Sequence, residues 1–444
     1  MTTAAAPRTP GVDPVDERLP AGPTLALALQ HLLAAYASLV VTPLILAGAM
    51  GLDAETLTLL ISASLVTSGL CTLLQCLGAG ASIGIRLPVI QGTTIAAVPA
   101  LVLIGTTSGL NAMFGATLVA GFAALLLAGG WSQVLRLFPP VVTGTVISAI
   151  GLSLIPVAVM WMSGGAGMGA QDVATTDLLL SFLSLGVVIA TMRFGRDLLA
   201  RAAILVGLVV GTLAAAMFVG VETSNIATAP WFSLVMPFAF GPPEFPVSAC
   251  IAMLLVMLVT MVESTGDYLA IGEVCDRKVS PAEIAAGIRA EGIGTMLGGI
   301  MNSFPFTTFS QNTGVLRISG VRSRWVVATA GGLMILLGLL PKLGAIASVI
   351  PTPVLGGCAL VMFGSIAVTG FDILRRVDLQ DNRNLVVVSV SLGLALLVIA
   401  NPIFFDGFGA NVKIVLSNSI TLAGVSAVTL NWLFNLSAKD APGS

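Results

Sequence analysis

The sequence predicts an all-α polytopic membrane protein of about fourteen transmembrane segments in two inverted seven-segment repeats, with segments 3 and 10 broken into a short strand plus a half-helix. Three observations predict it. Of 444 residues, 56% are hydrophobic and only 9% charged, with a mean hydropathy of +1.03, whereas soluble domains carry about a quarter charged residues. Apolar runs of bilayer length recur along the whole chain. The two halves also resemble each other: "PPVVTGTVISAIGLSLIPVA" opens the fifth span and "PTPVLGGCALVMFGSIAVTG" the twelfth. An odd number of spans per half turns the second half upside down relative to the first.

The Pro-rich, polar tail 1–22 has no compact apolar region ending in a cleavage site, so it reads as a mobile cytoplasmic tail and not a signal peptide. Apolar runs then begin near residues 25, 56, 112, 139, 177, 201, 247, 324, 351, 386 and 416, and a Gly-rich helix is expected over about 282–301. Segments 87–105 and 304–319 are apolar enough to enter a membrane but too short and polar for uniform helices. The five cysteines show no metal-ligand spacing and read as small packing residues. No cofactor is expected.

Basic residues test this map, because cytoplasmic loops are enriched in Lys and Arg. Arg86, Arg136, Arg193, Arg196, Arg201, Arg277, Lys278, Arg322, Arg324, Arg375, Arg376 and Arg383 all fall on even-numbered loops. Odd-numbered loops carry mainly Asp53, Glu55, Asp172, Asp177, Glu222 and Glu244, with Lys342 and Lys413 as exceptions. Both termini are therefore expected inside.

The broken segments draw attention because non-helical backbone is tolerated at membrane depth only where protein or a water-filled cavity satisfies it. "RLPVIQGTTIAAVPALVLIG" and "SFPFTTFSQNTGVLRISG" each combine a Pro, an extended stretch and a Gln, Gln91 in one and Gln311 in the other. Such segments at matching places in inverted repeats mark a midplane substrate site. Ionisable residues within spans are few. Glu263 and Asp267, four apart in "LLVMLVTMVESTGDYLAIG", share a helical face and can act as a pair. Glu291 follows in "IRAEGIGTMLGG", where it either works inside the bundle or snorkels beside Arg289. His31, the one histidine, either links helices by hydrogen bonds or carries a proton. An ionised carboxylate only accepts hydrogen bonds and a carboxamide does both, so Glu263 with Gln311 suits a ring bearing N–H and C=O groups. Phe309 offers such a ring a flat apolar surface. The set fits a planar heterocycle better than an inorganic ion.

The run "QNTGVLRISG" resembles the signature of the nucleobase-ascorbate transporters. The similarity extends to "LQHLLAAYAS", "MVESTGDYLAIG", "AEGIGTMLGG", "SFPFTTFSQN", "GVRSR" and "PTPVLGG", and so covers most of the chain. The resemblance implies a proton-coupled symporter of the inner or plasma membrane, working by elevator-like or rocking alternating access and usually dimeric. It implies a core domain from 23–135 (segments 1–4) and 247–346 (segments 8–11), and a gate domain from 136–222 (segments 5–7) and 347–436 (segments 12–14). An extracellular loop, 223–246, joins the halves, and 437–444 is a C-terminal tail. Carried over by position, Glu263 and Gln311 match the side chains that grip the base, Phe309 an aromatic lining the site and Asn312 a neighbour that shapes it. Asp267 and Glu291 match acidic positions needed for transport, and His31 a first-span histidine of the purine branch. Gln at 311 resembles the xanthine and urate permeases and not the uracil branch.

The chain departs from the family pattern at Ser319, where Thr is common, and at Arg317, where Gln or an apolar residue is common. Thr94, close after Gln91, stands where xanthine-selective members tend to have Asn, so urate stands beside xanthine as a candidate substrate. The alternatives are a uracil-type pyrimidine permease and an anion transporter of the same architecture. Anion carriers lack the Gln-Asn signature, and their sulfate members often append a soluble domain for which the eight residues after the last span leave no room. A channel has no need of a titratable carboxylate pair. No nucleophile–base set or metal-ligand cluster points to an enzyme, and no nucleic-acid partner is expected.

Overall fold

The computed structural model describes residues 13–164, 173–195, 199, 203–221, 224–309, 312–313, 315–316, 320–347, 349–401, 403–405, 407–408, 416 and 419–436. Gln311, Arg317 and Ser319 lie outside them. The chain runs α1 (Ala21–Met50), α2 (Ala54–Leu77), β1 (Gln91–Thr93), α3 (Val98–Leu127), α4 (Pro140–Met162), α5 (Thr175–Phe194) and α6 (Ala203–Phe218). The second half runs α7 (Val247–Val274), α8 (Pro281–Ile300), β2 (Phe306–Thr308), α9 (Arg324–Gly338), α10 (Thr352–Leu374), α11 (Asn382–Ala400) and α12 (Ser419–Asn431). Gly109, at φ 84°, divides α3 into two helices, as expected from separate apolar runs there. Among the described residues, seven helical stretches are long and apolar enough to cross a bilayer, and α6, α9 and Leu39–Met50 of α1 are shorter apolar helices. The protein is a multi-pass membrane protein.

Helix starts follow local chemistry. Asp53 caps α2 by accepting from the Thr56 backbone N–H at 2.7 Å, which holds its carboxyl below the usual carboxylate range. A capping box between Ser280 and Glu283, with Pro281 in the first turn, opens α8. The repeat-related α4 and α10 both begin at prolines, Pro139–Pro140 and Pro351–Pro353.

Small residues decide which helices meet. An added Cβ at Gly151 would lie 2.2 Å from the Ala367 nitrogen, and one at Gly370 2.3 Å from the Ser148 nitrogen, so α4 and α10 touch backbone to backbone. Gly69 with Gly331 does the same for α2 and α9, and Gly121 with Gly292 for α3 and α8. By contrast α5 and α11 have only 22% of their apolar windows buried, against 78% in α2. Leu179, Phe182 and Ile189 of α5 stand exposed, as they do on a lipid-facing helix.

The expectation of a mobile tail fails for residues 13–20. Val15 is fully buried, its carbonyl accepts from the Arg324 backbone N–H at 2.9 Å, and Asp16 pairs with the Arg324 side chain at 2.6 Å. Arg18 lies over the Trp325 ring, 4.2 Å from its centroid. Two apolar residues among prolines and charges, Val15 and Leu19, supply the anchor, a signal too small to separate from a disordered segment by composition.

Candidate functional site

The two strands pair antiparallel, Gln91 with Thr308, Gly92 with Thr307 and Thr93 with Phe306. A two-stranded ribbon inside a helical bundle has two open edges, and each unmet backbone group there is costly. Neighbouring hydroxyls meet them. Thr72 of α2 accepts from the Gln91 N–H at 3.0 Å, and Ser68 donates to the Gln91 carbonyl. On the other edge Ser264 of α7 accepts from the Thr308 N–H at 3.2 Å, and Thr295 of α8 from the Phe306 N–H at 3.1 Å. Ser and Thr in these helices therefore hold the broken backbone in place.

At this junction lies a cavity of about 80 Å³ lined by Thr93, Thr94, Glu263, Thr307, Thr308 and Phe309 on one side and by Ile147, Ile150 and Ile366 on the other. Two larger clefts, of about 310 and 480 Å³, lie at helix ends and are lined by neither strand. The small cavity is the stronger candidate, because polar groups converge there on an apolar chamber. Glu263 is half-buried on its wall. The Thr94 hydroxyl is buried without a hydrogen-bond partner among the described residues, so an acceptor brought there by a ligand would satisfy it.

The other predicted residues among those described do not line this cavity. Gln91 is fully buried and does not line the cavity; its amide donates to the Thr308 hydroxyl at 3.0 Å. Asn312 donates to the Pro88 carbonyl at 2.8 Å, and its carbonyl oxygen meets His31 Nδ1 at 2.6 Å. A carbonyl at Pro88 can only accept, which fixes the orientation of the Asn312 amide and places the proton of His31 on Nδ1. His31 Nε2 is left with a lone pair and no partner among the described residues. Helix linking and proton acceptance are thus both open to this one ring.

Glu291 does not snorkel. It is fully buried, while Arg289 leaves the bundle to donate to the Ser82 carbonyl at 3.1 Å. Gln75 donates to the Gly287 carbonyl and to the Tyr268 hydroxyl, and accepts from the Ile85 N–H, so its amide too has one orientation. Tyr268 must then point its own proton at Glu291 Oε2, 3.3 Å away. Glu291 Oε1 and Gln91 Oε1 are both buried and unpartnered among the described residues. Asp267 lies one helical turn beyond Glu263, half-buried and off the cavity wall.

Sequence reading missed Tyr268, Gln75 and the isoleucines. The one available signal for the last was positional, since Ile147, Ile150 and Ile366 sit inside the two repeat-related runs that open α4 and α10.

Residues 22–404 match the family model Xan_ur_permease, described as a permease family. The chain is 42% identical over 426 residues to the uric acid transporter UacT of Escherichia coli K12, covering 95% of this chain and 88% of that protein. It is 37% identical to the xanthine permease of Bacillus subtilis 168 (94% and 95% covered) and 40% identical to the uric acid permease PucK of the same organism (92% and 95%). Among solved structures, the transmembrane domain of the cyanobacterial bicarbonate transporter BicA superposes with a TM-score of 0.60 at 16% identity, over 91% of this chain and 97% of that one. Murine Slc26a9 in its inward-facing state gives 0.63 at 11% identity, over 99% and 74%. At such low identity these structures speak for fold alone, and that fold is shared with carriers of unlike substrates. Sequence and family agree where fold does not discriminate: the chain belongs to the nucleobase-ascorbate transporter family and is a membrane permease, not an enzyme.

Proposed function

We propose that the protein is a proton-coupled symporter importing a purine nucleobase, xanthine or urate or both, by elevator-like or rocking alternating access. The observation that carries this reading is the cavity at the strand junction, where the Glu263 carboxylate, the unpartnered Thr94 hydroxyl and the Phe309 ring meet. The carboxylate accepts from ring N–H groups, the hydroxyl can donate to a ring carbonyl, and the phenyl ring covers a flat face. Gln311 adds a carboxamide in this reading, on the strength of the sequence resemblance. The substrates of the relatives, uric acid and xanthine, support a purine over uracil.

In this reading about fourteen segments form a core domain, 23–135 with 247–346, and a gate domain, 136–222 with 347–436. Both termini face the cytoplasm, as the distribution of Lys and Arg supports, and two copies assemble as a homodimer. Asp267, Glu291 and His31 serve proton coupling. Uptake into proteoliposomes under an imposed pH gradient, competed with xanthine, urate, hypoxanthine, guanine and uracil, tests the proposal. Competition by xanthine or urate with gradient-driven accumulation is the expected result. Competition by uracil alone overturns the purine assignment, and uptake indifferent to the gradient overturns the coupling.

A further inference from the structure

Gly92, in the middle of β1, was singled out by neither motif nor charge, and its backbone does not explain it. It does not take the positive φ that favours glycine, so a residue with a side chain would fit its strand conformation. What excludes a side chain is one neighbour. A Cβ built on Gly92 would lie 2.0 Å from Cζ of Phe309 and 2.5 Å from both of its Cε atoms. Strand pairing accounts for the approach: the Phe309 N–H donates to the Ile90 carbonyl, which makes Gly92 the diagonal cross-strand neighbour of Phe309, within reach of an aromatic side chain. The tip of the ring rests on the bare Cα of Gly92, while the ring lines the cavity opposite Ile147, Ile150 and Ile366.

We propose that Gly92 is a specificity-determining positioning residue: by letting the Phe309 ring sink against the strand, it sets the width of the slot between that ring and the gate isoleucines, and so admits a flat purine ring. This rests on the reading of Phe309 as a substrate contact. A single methyl at 92 cannot coexist with the ring where it stands. The ring then moves toward the isoleucines and closes the slot, because the neighbouring ladder partners Thr307 and Thr308 are themselves held by Ser264 and Gln91.

The test is a double-mutant cycle on the full-length protein in membranes, with equilibrium binding and uptake of xanthine and urate. Gly92→Ala is expected to raise Kd and KM tenfold or more while turnover at saturation changes less than threefold. In the Phe309→Ala background the same methyl is expected to cost less than threefold in Kd, since no ring remains to be displaced. A cost of tenfold in both backgrounds, or none in the native background, overturns the proposal. Should Gly92→Ala fail to reach the membrane, the double variant decides: arrival and binding equal to Phe309→Ala alone support the proposal, and continued absence overturns it. If Phe309→Ala alone leaves binding intact, Phe309 is not a substrate contact and the inference falls with that reading. If Phe309→Ala weakens binding and Gly92→Ala does not, the inference alone fails.

Discussion

The two walls of the cavity are built by opposite rules. On one side Thr93, Thr94, Glu263, Thr307 and Thr308 present hydroxyls and a carboxylate, with Phe309 as the one ring and Ile95 and Ala96 as apolar members. All of these but Glu263, which stands on α7, belong to or adjoin a ribbon whose edges are tied to α2, α7 and α8 by Ser68, Thr72, Ser264 and Thr295. On the other side α4 and α10 offer only Ile147, Ile150 and Ile366. A polar wall fixes orientation and chemistry, since each hydrogen bond has a direction and an unmet partner is costly. An apolar wall excludes water and holds nothing in register, so it can slide over the other without breaking hydrogen bonds. In the proposed reading the polar wall would supply grip and the apolar wall freedom to move, a division suited to alternating access.

The largest break of this division is at Glu263. Glu263→Gln turns an acceptor-only group into one that also points donors at substrate N–H groups. Hydrogen bonds to charged groups contribute about 1.5–3 kcal/mol each, so losing two lowers affinity on the order of a hundredfold or more. Substrate binding to purified variant protein is the measurement, and native affinity in Glu263→Gln would remove Glu263 from the gripping wall.

Carboxylates off the cavity wall sharpen the contrast between gripping and driving. Asp267→Asn is expected to keep Kd within a few-fold and to lose accumulation against a gradient, because Asp267 lies off the cavity wall one turn beyond Glu263. If Asp267→Asn still concentrates substrate with unchanged pH dependence, the role passes to Glu291, whose Oε1 is the orphan acceptor in the network with Tyr268 and Gln75. Glu291→Gln, assayed in the same way, then loses accumulation and keeps binding.

The apolar wall is tested by making it polar. Ile150→Asn places an amide opposite Thr94, Glu263 and Thr308, and a single net hydrogen bond across the walls contributes about 1 kcal/mol. Such a bond must break in each cycle, so turnover is expected to fall about fivefold while Kd changes less than threefold. Equal losses in both would show that Ile150 touches the substrate more than it spaces the domains.

Much of this arrangement was legible in the sequence, and for a physical reason. Proline, glutamine and a run of hydroxyls inside a membrane-length segment violate the helix pattern, so 87–105 and 304–319 announced themselves as broken. Glu263 was legible because a carboxylate deep in an apolar run has few idle explanations. Gln91 shows the limit of such reading, because residue type shows that a group needs a partner but not which one, and here its amide donates to the Thr308 hydroxyl. The isoleucines were invisible, since an apolar residue facing a cavity and one facing lipid have the same hydropathy. Gly92 was equally silent, because its meaning is the position of a ring on the other strand.

The smallest predicted effect concerns the polar wall's choice between two purines. Thr94 is shorter than Asn, and its hydroxyl has no partner among the described residues. Urate carries an oxygen at C8 that xanthine lacks, and a hydroxyl donating to that oxygen would favour urate. Room alone discriminates weakly, by about 1–3 kcal/mol, so both purines are expected to bind the native protein. Thr94→Asn fills the space and shifts the xanthine-to-urate Kd ratio toward xanthine, by at most about fivefold if a net hydrogen bond of about 1 kcal/mol to urate is lost and by less if water replaces it. Parallel competition curves for the two purines on native and variant protein measure the shift. An unchanged ratio would mean that Thr94 leaves its proton elsewhere and that selectivity lies in Gln311 or in the spacing between Phe309 and the isoleucines.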